Sequence, residues 1–154
     1  MRVRVASGST CYLAGPFFNS FQVRLIEGLK EQIELSGFSC WSPRDEMMFV
    51  PGKTTPEEVL AVNIKGLQES SFMVCVTDGK DPGTMFEAGW AFANQMPIIY
   101  VWVTGEKGQK FNLMLASTGS VVRSFASLSE CLSELDRTEV FVRKNWSTEE
   151  MDYE

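Results

Sequence analysis

Short runs of consecutive apolar residues alternate along the chain with longer stretches in which apolar residues recur at helical spacing. Two of the runs, FMVCVT at 72–77 and PIIYVWV at 97–103, are apolar at nearly every position. Continuous apolar runs of this length are typical of strands that are buried on both faces of a parallel sheet. Less regular runs at 2–14, 38–42 and 120–125 predict further strands.

Helical spacing and residues typical of helix ends predict the helices between these strands. Gly37 marks the end of the first helix, and Thr55, Pro56 and Glu58 form a capping-box sequence at the start of the second. The polar segment 43–55 is predicted as a loop. The predicted helices are 20–36, 55–70, 84–95 and 128–136, and the apolar face of the first carries Phe21, Leu25, Leu29 and Ile33.

This alternation of strands and helices predicts an α/β fold of a single domain over residues 1–154. We expect a flavodoxin-like, doubly wound, parallel five-stranded sheet with helices on both faces. In that strand order the first and third strands adjoin at the switch point, where open α/β sheets bind their ligands. The carboxyl ends of these two strands are YLAGPF and VTDGKDPGT.

Composition excludes several classes of function. The net charge is −6 at pH 7, which argues against a nucleic-acid polymer as partner because neutralising phosphates needs a basic face. The absence of histidine removes the commonest general base, the Ser-His and Cys-His pairs and most zinc sites. We therefore expect chemistry based on carboxylate, Tyr, Lys or Cys side chains, with no metal and no cofactor.

Cysteine usage and hydropathy bear on the compartment. The 4 cysteines are widely spaced and most lie in apolar, strand-like runs, which is typical of buried free thiols in a reducing environment. No apolar run is long enough to span a bilayer, and the N-terminal segment has no long apolar stretch. We expect a cytoplasmic protein with no membrane partner.

Carboxylates cluster after the third predicted strand, in DGKDPGTMFEAGWAFA at 78–93. Two interpretations of Glu87 are open. Thr84 and Glu87 fit a capping box, in which Glu87 only satisfies a helix N-terminus. Alternatively, Glu87 is a reactive carboxylate that the helix dipole keeps ionised, with Asp81 nearby and with Gly83 allowing a tight turn beside a ligand.

Paired carboxylates without a histidine point to glycosyl chemistry. One carboxylate attacks an anomeric carbon, while another group protonates the leaving atom. Tyr12, at the end of the first predicted strand, would lie beside the same crevice. It is either a core tyrosine with its hydroxyl at the rim or a hydroxyl that orients the nucleophile.

The segments CYLAGPFFNSFQ, DPGTMFEAGWAFA and FNLML, in this order and spacing, resemble the nucleoside 2-deoxyribosyltransferase family, roughly from Tyr12 to Val122. The resemblance implies a flavodoxin-like enzyme that exchanges the base of a 2′-deoxynucleoside through a covalent 2-deoxyribosyl–glutamate. It implies that Glu87 is the nucleophile, that Tyr12 orients it, and that Asp81 binds the sugar 5′-hydroxyl. Phe18 would pack against the base or sugar.

Family members are oligomers whose active sites are completed by a neighbouring subunit, and the resemblance implies the same here. Asn112 and Met114, in FNLML, would reach into the adjacent subunit's site. Without the resemblance, Asn112 is only a candidate helix cap and Met114 only a core residue.

The chain departs from the family pattern at positions near the base. Asn63 stands where many members carry an Asp that is implicated in protonating the base, and an amide has no titratable proton although it can hydrogen-bond a base edge. Asn63 is alternatively a solvated helix residue. Met47 stands in place of a base-contacting Gln, with Asp45 and Glu46 just before it. These departures concern base recognition and leave the sugar chemistry intact.

The expected partners are therefore 2′-deoxynucleosides and free nucleobases. One alternative is a 2′-deoxynucleoside 5′-monophosphate N-glycosidase, which must bind a phosphate dianion. Asp81 and Asn112 instead favour an uncharged 5′-hydroxyl, because a carboxylate repels phosphate. A further alternative is a non-catalytic, flavodoxin-like nucleotide-binding module.

Overall fold

A computed structural model describes residues 5–103, 110–137 and Tyr153, and all structural statements below concern these residues. Within them the chain forms an α/β fold. The strands are β1 (Thr10–Ala14), β2 (Ser39–Trp41), β3 (Phe72–Val76), β4 (Ile98–Val101) and β5 (Ser120–Val122). The helices are α1 (Ser20–Leu35), α2 (Pro43–Glu46), α3 (Pro56–Glu69), α4 (Pro82–Ala93), α5 (Leu113–Ala116) and α6 (Phe125–Arg137).

The described strands form one parallel sheet in the order β2-β1-β3-β4-β5. This confirms the predicted flavodoxin-like arrangement, including the adjacency of β1 and β3 at the switch point. In the register of the sheet, Tyr12 lies between Trp41 of β2 and Met73 of β3. Tyr12 is thus in the middle of β1, not at its end as predicted.

Two apolar layers cover the sheet. One face packs against α1 and α6, and the other packs against α3 and α4. Every residue of β3 is buried, as the continuous apolar run predicted. Three of the free cysteines, Cys11, Cys75 and Cys131, are buried in these layers, whereas Cys40 is only partly buried.

The residues predicted to cap the start of α3 and to end α1 do so in the structure. The side chain of Thr55 accepts a hydrogen bond from the Glu58 backbone N–H at 3.2 Å, and the Glu58 carboxylate accepts one from the Thr55 N–H at 3.0 Å. Gly37 follows α1 with φ of +93°, a conformation that favours glycine. Of the apolar residues at helical spacing in α1, Leu25, Leu29 and Ile33 are buried, whereas Phe21 at the start of the helix is 50% exposed.

Several boundaries differ from the prediction for local reasons. β1 is shorter because the preceding residues turn at Gly8, where φ is +82°. The predicted loop 43–55 contains the short helix α2, which begins at Pro43. The last strand stops at Val122, and α6 begins at Phe125, three residues before its predicted start. The segment GEKGQK at 105–110, which its glycine and charged residues predict as a loop, lies mostly outside the described residues, as does the tail after Arg137 apart from Tyr153.

Among the residues described, no helix combines the length and the apolar character that crossing a membrane requires.

Candidate active site

An open cleft of about 420 Å³ lies between α3 and α4, on the face of the sheet that those helices cover. This volume lies within the range of about 300–1,000 Å³ that is common for small-molecule sites. The walls are mostly apolar, with Asn63 and Glu87 as the polar side chains and Gly83 at the edge. The main apolar contributors are Phe49, Val59, Leu60, Ile64 and Phe86.

Glu87 lines the cleft and is the sixth residue of α4, in its second turn. Its Oε2 atom is buried and has no hydrogen-bond partner in the described structure. Burial raises the pKa of Glu87 to about 7, against the lowering influence of the Tyr12 phenol and with a further raising influence of Asp81. A carboxyl group in this setting gives up its proton near neutral pH, and its Oε2 atom is left without a regular hydrogen bond.

The capping-box interpretation of Glu87 is therefore wrong, because α4 begins at Pro82 and its N-cap is Asp81. Glu87 lies one turn beyond the N-terminal groups that a capping residue satisfies. The expected stabilisation of the ionised form by the helix dipole is also outweighed, since burial dominates the pKa of this group.

Tyr12 approaches Glu87 from β1. Its ring is fully buried, and its Oη atom has no partner within hydrogen-bonding geometry in the described part of the chain. The two groups nevertheless interact, because burial and then the charge of Glu87 raise the pKa of Tyr12 well above its ordinary value. The phenol therefore keeps its proton and acts on the Glu87 carboxylate as a hydrogen-bond donor, which lowers the pKa of Glu87, although the contact falls outside regular hydrogen-bond geometry.

The remaining carboxylates of the cluster have different surroundings. Asp81 caps α4, and its Oδ2 atom accepts hydrogen bonds from the Thr84 N–H and the Thr84 hydroxyl, each at 2.8 Å. Asp78 is buried and accepts a hydrogen bond from the Val103 N–H at 3.2 Å, which links the chain after β3 to the chain after β4. The three carboxylates therefore differ: Asp78 links two loops, Asp81 caps α4, and Glu87 leaves its buried Oε2 atom without a regular hydrogen bond.

Asn63 projects from α3 into the cleft. Its Oδ1 atom is buried without a partner among the described residues, so the interpretation as a solvated helix residue is wrong. A buried, unpaired amide oxygen costs free energy unless a ligand or water completes it. Asn63 and Glu87 are consequently the two polar groups that the cleft presents from opposite helices.

Other candidate residues near the strand ends lie apart from this cleft. Phe18 is 76% exposed and stacks on Phe17, with ring centroids 5.9 Å apart. Asp45 pairs with Lys30 at 2.8 Å, and Met47 follows α2 as its C-cap. None of these side chains lines the cleft as the structure describes it.

Asn112 and Met114 lie at α5, beyond β4. The Asn112 side chain accepts a hydrogen bond from the Leu115 N–H at 3.1 Å, so it caps this short helix. Met114 is 71% exposed, so the interpretation as a core residue is wrong. Neither side chain reaches the cleft of its own chain.

Sequence reasoning missed the apolar walls of the cleft. Val59, Leu60 and Ile64 occupy one side of α3, and Phe49 and Phe86 also line the cleft. The signal was present as apolar residues at helical spacing, but this pattern is the same whether a helix face packs on the core or borders a cleft.

The raised pKa of Glu87 predicts a pH-dependent stability. In the folded protein the pKa of Glu87 is about 7, against an ordinary value of 4.5. The contribution of the protonated carboxyl to folding stability is therefore complete below pH 4.5 and is lost as the pH rises through 7. Glu87→Gln, which cannot ionise, should be more stable than the parent protein at pH 8 by about 1–3 kcal/mol, and by much less at pH 5. Urea unfolding at both pH values measures this difference.

Glu31→Gln, at an exposed position on α1, is the matched control and should show the same small effect at both pH values. An equal effect of Glu87→Gln at pH 5 and pH 8 would contradict the assignment of a raised pKa.

The chain is similar to known proteins in both sequence and fold. The family model described as nucleoside 2-deoxyribosyltransferase matches residues 11–116. A solved structure of a conserved protein from Enterococcus faecalis is similar with a TM-score of 0.73 and 20% identity, covering 83% of this chain and 99% of that chain. A 2-deoxyribosyltransferase from Bacillus psychrosaccharolyticus is similar with a TM-score of 0.69 and 18% identity, covering 87% and 100%.

A CMP N-glycosidase from Clostridium botulinum is also similar, with a TM-score of 0.55 and 19% identity, covering 83% of this chain and 98% of that chain. Identities this low show a shared fold. No curated protein matches the chain.

Proposed function

Because the chain belongs to the nucleoside 2-deoxyribosyltransferase family, we propose that it exchanges the nucleobase of a 2′-deoxynucleoside through a covalent intermediate on Glu87. The family is enzymatic and acts on nucleosides and nucleobases. The observation that carries the proposal is the unpaired carboxylate of Glu87, which borders an apolar cleft large enough for a nucleoside.

In the first step, an oxygen of the ionised Glu87 carboxylate attacks C1′ of the sugar. The bond between C1′ and the base nitrogen breaks, its electron pair leaves with the base, and a 2-deoxyribosyl ester forms on Glu87. In the second step, a nitrogen of an incoming base attacks the same carbon and releases the carboxylate. Water competes for the ester, so slow hydrolysis accompanies transfer.

The surroundings of Glu87 suit an oxocarbenium-like transition state. A carboxylate in an apolar, partly desolvated setting interacts more strongly with positive charge at C1′ than it would in water. The pKa of Glu87, at about 7, leaves a substantial fraction ionised at neutral pH. Activity on free substrate should accordingly rise with pH as this group loses its proton.

Tyr12 and Asn63 complete the polar contacts of the proposed site. The protonated phenol of Tyr12 donates to the Glu87 carboxylate and so orients the attacking oxygen. Asn63 offers hydrogen bonds to a base edge, and its buried Oδ1 atom gains a partner when a donor group approaches it. Because an amide does not transfer a proton, the departing base takes its proton from solvent or from another acid.

Asp81 favours a nucleoside over a nucleotide as substrate. Its carboxylate lies at the N-terminus of the helix that carries Glu87, and its charge already raises the pKa of that group. A 5′-phosphate dianion near this carboxylate is repelled, whereas a 5′-hydroxyl can donate a hydrogen bond to it. The similarity in fold to a CMP N-glycosidase makes the monophosphate glycosidase the relevant competing activity.

The proposed assembly is a homo-oligomer in which α5 of one subunit completes the cleft of its neighbour. The exposed side chains of Leu113 and Met114 support this, since 54% and 71% of their surfaces are accessible in the single chain. Asn112 fixes the start of this helix and so the direction in which these side chains project.

The test is an intact-mass measurement after incubation with 2′-deoxyadenosine, together with chromatography of the base released and of the nucleoside formed with a second free base. We expect a deoxyribosyl adduct and base exchange in the parent protein, and neither in Glu87→Gln. Binding without adduct or base release would support a non-catalytic nucleotide-binding module instead.

A further inference from the structure

An aromatic stack connects Tyr12 on β1 to Trp41 on β2, the strand at one edge of the sheet. The rings of Tyr12 and Trp41 are stacked, with centroids 4.9 Å apart and planes inclined by 18°. The two residues are register partners across β1 and β2. Offset stacking of this kind fixes the plane of a ring, so the orientation of the Tyr12 phenol depends on Trp41.

The indole of Trp41 is held in turn by a close approach to α3. A Cβ atom at Gly66 would lie 2.6 Å from Trp41 Cε2 and 2.7 Å from Cδ2 and Cζ2. Carbon atoms do not approach so closely, so the position admits only glycine while the indole stays in place. Glycine inside a helix costs about 0.5–1 kcal/mol relative to alanine, which this contact offsets.

The phenol needs such support because no regular hydrogen bond fixes its polar end. Tyr12 Oη has no partner within hydrogen-bonding geometry in the described residues, so hydrogen bonding does not set the torsion angles of this side chain. Packing around the ring must do so. The titratable groups that interact with Glu87 are Tyr12 on β1, Cys75 on β3 and Asp81 at the start of α4. Among these described groups, only Tyr12 stacks on Trp41.

We infer that Trp41 is a positioning residue: held by Gly66 and stacked on Tyr12, it fixes the phenol oxygen where it stabilises the ionised carboxylate of Glu87. The inference rests on the proposed function only for its catalytic consequence. The positioning itself concerns the ionisation of one carboxyl group and exists whether or not transfer occurs.

The decisive experiment titrates Glu87 directly by difference infrared spectroscopy, with Glu87→Gln as the blank. We expect Tyr12→Phe and Trp41→Leu each to raise the apparent pKa of Glu87 by roughly 0.5–1, because both remove the same stabilisation of the charged form. The double variant should show no further rise, since the two residues act as a unit. Trp41→Phe, which keeps an aromatic ring, should stay near the parent value.

Trp102→Leu is the matched control, because it removes an indole from the same apolar layer just after β4, two strands away from Tyr12. It should destabilise the fold without moving the Glu87 titration. Should Trp41→Leu fail to fold, Gly66→Ala displaces the indole while retaining it and should raise the same pKa.

An unchanged titration in the folded Trp41→Leu or Gly66→Ala variant, with a shifted titration in Tyr12→Phe, would overturn the inference. So would full additivity in the double variant. Base-exchange rates measured at pH 6 should fall roughly 3- to 10-fold in Trp41→Leu and recover at pH 9. If the parent protein transfers no deoxyribose, the proposed function fails while the titration still decides the role of Trp41.

Discussion

Glu87→Gln should abolish base exchange, lowering its rate on the order of 10³-fold or more, because the amide cannot form the glycosyl ester. The substitution preserves the shape of the side chain, and the buried Oε2 atom that it alters makes no regular hydrogen bond in the described structure. We therefore expect a folded protein that still binds nucleoside. The measurement is the initial rate of base exchange at pH 8, where most of the parent carboxyl is ionised.

Two further variants test whether the loss of activity is specific to the Glu87 carboxylate. Glu31→Gln, an exposed carboxylate on α1, should retain full activity. In Tyr12→Phe the rate of base exchange should fall roughly 10-fold at neutral pH. The substitution leaves Glu87 in place but removes the phenol that favours its ionised form and orients the attacking oxygen. Residual exchange in Glu87→Gln at more than about a tenth of the parent rate would exclude Glu87 as the nucleophile.

Deoxynucleosides should be much better substrates than their 5′-monophosphates. Two unit charges at 4 Å repel by about 4 kcal/mol at an effective dielectric of 20 and by about 1 kcal/mol in water. Since Asp81 is partly exposed, we expect a preference in kcat/KM between about 10- and 10³-fold. A paired assay with deoxyadenosine and deoxyadenosine monophosphate measures it.

Asp81→Asn and Asp81→Ser separate the charge of this residue from its structural role. Both replacements can still cap α4, because amide and hydroxyl oxygens accept the hydrogen bond from Thr84 that the carboxylate now accepts. Removing the charge should reduce the preference for the deoxynucleoside at least about 10-fold, mainly by raising kcat/KM for the monophosphate. A parent protein that prefers the monophosphate would reject the transferase proposal in favour of the N-glycosidase.

The sheet and its order could be predicted because their signals are local and repeated. Buried parallel strands such as β3 are continuous apolar runs, and the intervening helices carry capping sequences such as Thr55 and Glu58. Alternation of the two then restricts the topology to very few arrangements. The adjacency of β1 and β3, which places Tyr12 near α4, follows from that topology.

The details of the site could not be predicted because they depend on neighbours that are distant in the sequence. Thr84 and Glu87 fit a capping box by spacing, yet Asp81 is the N-cap, and α4 begins two residues earlier than predicted. The pKa of Glu87 depends on how deeply two helices bury it, which no local pattern specifies. The contact between Gly66 and Trp41 joins residues on different elements and has no sequence signature.

The division of the sheet into two covered faces separates the requirements for folding from those for substrate choice. A buried apolar layer lies under α1 and α6, whereas the layer under α3 and α4 borders the cleft that holds Glu87. Substitutions at Leu29 or Leu132, in the first layer, should change the unfolding free energy while leaving the ranking of acceptor bases as it was. Leu60, 48% exposed on the cleft side of α3, can instead vary at little energetic cost to the fold. New base preferences could therefore be selected at such positions without first strengthening the core.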